Sequence, residues 1–474
     1  MAGERNAIAG GGGVVTAKKP PAFDHLVLLD NRVGPLGGKA KLGPLEAAIG
    51  FDHTKKHTLT APDRGLQDYI DNIVKNDKQL AKTAFAVLDM SQKPYRYGGY
   101  RDTEALSTMS MGKMMIMIGA YQLRHDLRHL ADDEKIKSFD KLVERAGDIW
   151  ADAQHPPKGS AMKPFRAASP KIELENGQVV LINGKRVPTG ANYSKTNLEH
   201  MFDKEAFDKG KTLDFRDDHL GYHQLEFIEF NYADNLMATW GVKTKELTKL
   251  SYMDLMKLMI GWSSNMAPRH LVADMNIVNV MSTLFRAHLF HPDFGGMWLG
   301  HPWNQKKPWF DPPIRKRTQD RKVGSPLAFL TLMAAIAENK IVDAASCKEM
   351  KDLLQKFTPT VPSVAIEDDP KAWASMPVGI ATRSFLGEKL QSLRAEKKLD
   401  GKVRWWSKLG ILEGFSDTAY IERDLSDGRK LRYVVAHMDI PDGKTEVQAE
   451  WLHKLAELVD AAIVMLNPPP KKGP

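Results

Sequence analysis

The sequence predicts a mixed α/β (α+β) fold: an antiparallel sheet built from both chain ends, with a helical domain inserted between its two parts. Three observations predict it. Strand-like segments joined by tight turns occur early, at residues 83–100, and again late, at residues 403–439. The long stretch between them returns repeatedly to helical apolar spacing. A helix-like segment flanks each strand group, Leu66 to Leu80 before the first and Lys444 to Leu466 after the last. One shared sheet lets both strand groups bury their apolar faces without crossed connections.

Residues 1–60 are rich in Gly, Lys and Pro with little periodicity, which predicts a flexible N-terminal extension. Residues 61–467 form the folded region, its sheet part at 61–106 and 370–467 and its helical part at 107–369. Leu66 to Leu80 has the spacing of an amphipathic helix. Thr83 to Met90, the turn SQKP and Tyr95 to Tyr100 read as strand, turn and strand. The longest apolar run, Met109 to Leu123, carries Lys113 and is too short for a bilayer span, so it is expected to be a buried helix. Residues 155–245 break the helical pattern, and Asn176-Gly177 and Asn183-Gly184 flank the run QVVLI, predicting a small β-meander insert. Met253 to Trp262 and Ala328 to Asn339 are helical in spacing, and the Trp- and Pro-rich stretch from His291 to Pro313 is expected to be loop. Val403 to Leu409, Thr418 to Arg423 and Leu431 to Asp439 read as successive strands.

The composition narrows the function classes. The chain has 474 residues, 42% of them hydrophobic, enough for a sizeable core. Its net charge of +8 is scattered among nearly as many acids, without a basic stripe interleaved with aromatics, so no nucleic-acid partner is expected. Cys347 is the single cysteine, which excludes an internal disulfide, and no Cys/His spacing matches a structural zinc site. His219 and His223 lie four apart beside Asp217 and Asp218 without a third ligand, so neither metal nor cofactor is expected. The first residues, MAGERNAIAGGGG, lack the apolar stretch of a secretory signal. The protein is therefore expected in the cytoplasm if this N-terminus is native, or in the periplasm or outside the cell if a leader is missing. Trp298, Trp303 and Trp309 either wall a cleft or pin a long loop. Trp405 and Trp406, adjacent in a strand, should face opposite sides of the sheet.

Three short motifs carry chemistry. Ser110-Met111-Gly112-Lys113 spaces a hydroxyl and an amine one helical turn apart. A serine hydroxyl needs an adjacent base, and a lysine desolvated among methionines and isoleucines can lose its proton near neutral pH. The bland alternative is a capping serine and a snorkelling lysine. Ser263-Ser264-Asn265 follows a helical segment, where Ser263 could relay a proton and the Asn265 amide could bind a substrate amide. Lys408-Leu409-Gly410 lies in a late strand, where a lysine can bind a carboxylate and a glycine admits close backbone approach.

In order and placement, the three motifs resemble those of the serine β-lactamase and penicillin-binding protein superfamily, and class A β-lactamases most closely. The resemblance extends to SYMDLMKLMIGWSSNMAP, GSPLAFLTLMAAIAENKIVDAASCKEMKDLL and SKLGILEGFSDTAYIE, covering roughly residues 65–150 and 245–466. It implies a β-lactamase/transpeptidase-like fold and a small-molecule or peptide substrate. It also implies roles: Ser110 as nucleophile, Lys113 as base, Ser263 as proton shuttle, Asn265 as amide holder, and Lys408 as carboxylate binder or tuner of Ser263. The oxyanion donors would be the N–H groups of Ser110 and of Ile411, the residue after Gly410.

Departures from the pattern are equally specific. The loop from His291 to Pro326 contains no glutamate to activate a deacylating water; its acids are Asp293, Asp311 and Asp320. Leu409 stands where the family has threonine, and Ser264 where class A enzymes have aspartate. Three functions stay open on the sequence: a hydrolase of amides or esters, a glutaminase-like amidase, and a non-catalytic binding protein with a decayed site.

Overall fold

The computed structural model describes residues 62–154, 172–175, 179–182, 185–188, 195–217, 251–261, 263, 267–275, 279–280, 283–284, 287, 289–291, 295–299, 322–355, 384–411, 414–439 and 450–469. The expected N-terminal extension, His219 and His223, Trp303 and Trp309, the three loop aspartates and Asn265 all lie outside the described residues.

Helix α1 (Arg64–Asn76) opens the fold on an Asp63 cap, whose carboxylate accepts from the Leu66 N–H. Strands β1 (Thr83–Asp89) and β2 (Arg96–Tyr100) follow, then the two-residue β3 (Leu106–Ser107) and a 3₁₀ turn, Met109–Gly112. Helix α2 (Lys113–Asp133) and helix α3 (Phe139–Gln154) enter the helical region. Strands β4 (Ile172–Glu175), β5 (Val179–Ile182) and β6 (Lys185–Pro188) form a three-stranded meander. Short helices α4 (Lys195–Met201) and α5 (Lys204–Asp208) come next, then α6 (Tyr252–Ile260) and α7 (Ala267–Met275). The two-residue strands β7 (Phe290–His291), β8 (Gly295–Gly296) and β9 (Trp298–Leu299) precede β10 (Lys322–Gly324), α8 (Pro326–Ala337), α9 (Ala344–Gln355) and α10 (Phe385–Ala395). The chain closes with β11 (Lys402–Ile411), β12 (Phe415–Asp424), β13 (Lys430–Asp439) and α11 (Glu450–Leu466).

The main sheet has the order β11-β12-β13-β1-β2, and every pairing in it is antiparallel. Strands from residues 83–100 and 402–439 thus share one sheet, with the helical region between them in sequence. Its register sorts side chains by face. On β1, Phe85 and Val87 point into a core shared with α1, α10 and α11, while Ala84, Ala86 and Leu88 point into the core of the helical region. The alanines on that second face, with Ala436 of β13, let α8 lie close. All twelve residues of α8 are buried, and each large apolar side chain so buried contributes roughly 1.5–3 kcal/mol. Trp405 and Trp406 fall on opposite faces, Trp405 beneath α10 and Trp406 stacked on Tyr420.

A buried arginine ties the helical region together. Arg124 of α2 donates to Asp214 at 2.6 Å and to both Glu349 oxygens at 2.9 Å, and its guanidinium lies over the rings of Tyr121 and Phe215. The ring contacts spread its desolvation cost over two π faces. Among the described residues no helix is long and apolar enough to cross a membrane.

Two expectations need correction. The helix expected from Met109 to Leu123 begins at Lys113, after the 3₁₀ turn, and runs on to Asp133. Polar residues at and beyond this point hid its second half, because Gln122, Arg124 and Asp126 are buried, Gln122 donating to Asp126 and Arg124 to Asp214. The stretch from His291 to Pro313 is not all loop, since β8 and β9 lie within it and β9 pairs with β10. Two-residue strands are too short for side-chain alternation to announce them.

Candidate active site

The segment carrying Ser110 is fixed at both ends. Before it, β3 pairs with β10, and the Thr108 N–H donates to the Lys322 carbonyl at 3.0 Å. After it, α2 begins at Lys113 without a side-chain cap, so Ser110 does not cap the helix. Between these anchors Met109 adopts a left-handed φ of 47°. For a residue with a long side chain that conformation is strained, and such strain collects where a neighbour must be aimed. Here the neighbour is Ser110, which stays partly exposed.

Lys113 Nζ stands 2.9 Å from Ser110 Oγ, and it donates to the Ser263 carbonyl at 2.6 Å and to Ser263 Oγ at 3.1 Å. Lys408 Nζ reaches the same Ser263 Oγ at 2.9 Å and its own neighbour's carbonyl, Leu409 O, at 3.2 Å. Ser263 has a left-handed φ of 56°, which turns both its carbonyl and its hydroxyl toward the two amines. Neither lysine snorkels: both are 0% exposed. Lys408 is buried although β11 is the sheet's edge strand.

Burial dominates the electrostatics. It holds the Lys113 amine well below the usual lysine range, and the positive charges of Lys408 and Lys322 add to the effect. Burial likewise brings Lys408 down to about 7, opposed by the carboxylate of Asp417. The site therefore holds amines that give up their protons more readily than an ordinary lysine, beside two hydroxyls that need a base.

Gly410 is required by the close approach of β11 to the segment carrying Ser110. A Cβ there would stand 2.9 Å from the Ser110 nitrogen, 2.8 Å from Met109 Cβ and 2.7 Å from Ser416 Oγ. The peptide joining Gly410 to Ile411, at the end of β11, is thereby brought beside the Ser110 N–H. The structure thus brings Ser110, Lys113, Ser263, Lys408 and Gly410 together, with Ile411 next in the strand.

Residues not anticipated from the sequence lie behind and beside the site. Lys322 is one; its position directly before the Val-Gly-Ser-Pro start of α8 was its only signal. The others are Asp417, His437 and Asp439, all on the far face of the sheet. Asp417 accepts from Ser384 Oγ at 2.7 Å and from the Leu386 N–H at 3.1 Å, yet burial pushes its carboxyl up to about 7. Burial pushes Asp439 up to about 7 as well, and His437 down to about 3.

Neither a protein-family model nor a curated protein sequence matches the chain. Solved structures do. The chain is similar to the β-lactamase of Sphaerobacter thermophilus DSM 20745 at 12% identity, over 85% of this chain and 98% of that one, with a TM-score of 0.40. It is similar to a class A β-lactamase of Bacteroides cellulosilyticus DSM 14838 at 11% identity, over 86% and 99%, with a TM-score of 0.40. For the class A β-lactamase of the last common ancestor of Gram-negative bacteria the identity is 14%, the coverage 84% and 100%, and the TM-score 0.42.

Proposed function

We propose that this chain is a serine hydrolase working through an acyl-enzyme on amide or ester substrates, such as a β-lactam, a D-alanyl peptide or a small ester. One observation carries the proposal: the unbroken series Ser110 Oγ, Lys113 Nζ, Ser263 Oγ, Lys408 Nζ, with successive contacts of 2.9, 3.1 and 2.9 Å. In this reading the unprotonated Lys113 takes the Ser110 hydroxyl proton as Oγ bonds to the substrate carbonyl carbon. The negative charge that develops on the carbonyl oxygen is met by the N–H groups of Ser110 and Ile411, each such donor contributing about 3 kcal/mol in comparable sites. The proton then passes from Lys113 through Ser263 to the leaving nitrogen or oxygen as that bond breaks. Lys408 holds Ser263 in line, and Asn265 binds the substrate amide. Water completes the cycle by attacking the Ser110 ester.

A binding protein with a decayed site fits less well. Two desolvated amines sharing one hydroxyl are costly to maintain, and passive capture of a carboxylate needs a single charged lysine. The test is intact-protein mass spectrometry after mixing with a fluorescent penicillin, a chromogenic cephalosporin and a p-nitrophenyl ester. An adduct mapped to Ser110 and lost in Ser110→Ala is expected. An adduct that persists in Ser110→Ala, or neither adduct nor product from any of the three, sinks the proposal.

A further inference from the structure

The main-chain ladder between β12 and β13 ends at the pair Ser416 and Met438. One step further, a side chain takes over: Asp439 Oδ2 accepts the Phe415 N–H at 2.5 Å. Phe415 is the cross-strand partner of Ile411, so this bond fixes the far side of the turn that closes β11 onto β12. The same side chain packs against Gly414. A Cβ on Gly414 would stand 2.9 Å from Asp439 Cβ and 3.4 Å from Met109 Cε. Met109 is touched again by Ser416, whose hydroxyl reaches Met109 Sδ at 3.7 Å. Asp439, Gly414 and Met109, the residue before Ser110, thus lie together. Asp439 is only 4% exposed, and its second oxygen lies 3.4 Å from His437 Nε2.

We infer that Asp439 is a positioning residue for acyl transfer, holding the β11–β12 turn against Met109 so that the Ile411 and Ser110 N–H groups converge on one oxygen. The inference rests on the reading of Ser110 and Ile411 given above. A buried carboxyl is a costly choice for a purely packing role, since an apolar side chain of that size would fill the space without a desolvation penalty. What only a carboxyl or an amide supplies is an acceptor for the Phe415 N–H in that shape.

The test compares Asp439→Asn, which keeps an acceptor, with Asp439→Leu and Asp439→Ala, which do not. Backbone hydrogen exchange by mass spectrometry is followed in the full chain, together with single-turnover acylation by a p-nitrophenyl ester. With the acceptor gone, exchange in the peptide covering residues 409–416 is expected to quicken about tenfold, while α2 is unaffected. Acylation is expected to slow about tenfold or more at saturating ester, with little change in the half-saturating concentration. Asp439→Asn should restore both. Uniformly faster exchange across the chain, failure of Asp439→Asn to differ from Asp439→Leu, or an unchanged 409–416 peptide overturns the inference. If wild type forms no adduct at all, the function proposed above fails, and the exchange comparison still decides whether Asp439 clamps the turn.

Discussion

Lys113 and Lys408 converge on one acceptor: Ser263 Oγ stands 3.1 Å from the first amine and 2.9 Å from the second. Two ammonium groups cannot both be comfortable on one hydroxyl, and the charge of Lys408 adds to burial in keeping Lys113 inclined to give up its proton. In the proposed reaction this arrangement supplies a base without a carboxylate or a histidine.

In the proposed reaction acylation needs Lys113 unprotonated, so its rate is expected to rise with pH through the Lys113 ionisation. Removing a neighbouring positive charge raises that pKa. Lys408→Met and Lys322→Met are each expected to move the rising limb of the rate profile toward higher pH, read from single-turnover acylation with an activated ester. A limb that stays put or moves toward acid contradicts the assignment of Lys113 as base.

Ser263→Ala separates the two halves of the reaction. An amide leaving group must be protonated as it departs, whereas p-nitrophenolate leaves without a proton. Acylation by an amide or β-lactam should fall on the order of 10²–10³-fold, and acylation by the p-nitrophenyl ester by much less. Equal losses on both substrates would show that Ser263 is not the proton relay.

Gly410→Ala places a methyl group against the Ser110 nitrogen, Met109 and Ser416. Two of those neighbours are backbone or Cβ atoms that cannot swing aside. A cost of roughly 1–3 kcal/mol in urea denaturation is expected, with a greater loss of acylation than of stability. A fully active Gly410→Ala would mean that β11 does not approach Ser110 as described.

Asp417 gives a pH signature in stability. Its carboxyl is raised from 3.8 to about 7 in the fold, chiefly by burial. Between those values the unfolded chain has released the proton and the folded chain still holds it, so the contribution of Asp417 to stability declines as pH rises from about 4 to about 7. Asp417→Asn cannot ionise. Its melting temperature relative to wild type should therefore climb across that interval, and a difference that is flat or falling from pH 4 to 7 would refute the buried, protonated Asp417.

The antiparallel sheet and the helical middle were legible because their segments are long and their periodicities clean. The burial of Lys113 was legible in part: its place among Met111, Met114, Met115 and Ile116 pointed to desolvation, and the structure, with Lys113 0% exposed, excludes the snorkelling alternative. The 3₁₀ turn at Met109–Gly112 was not, since four residues carry no period, and the left-handed backbone at Met109 and Ser263 arises from tertiary packing that local preference opposes. Nothing in the sequence singled out Asp417 and Asp439, which stand among polar residues of the late strands. Only the cross-strand register, with α10 seated on that face, makes them interior.

The sheet also sets the timing of reactivity. Ser263 lies 150 residues after Lys113, and Lys408 a further 145. A chain emerging in order from its N-terminus holds the serine and its amine long before β11, β12 and β13 exist to seal them from water. Until then the amine is solvated and takes up a proton like any surface lysine. If Ser110 and Lys113 act as proposed, the nascent chain carries a silent nucleophile, and finishing the fold is what switches its chemistry on.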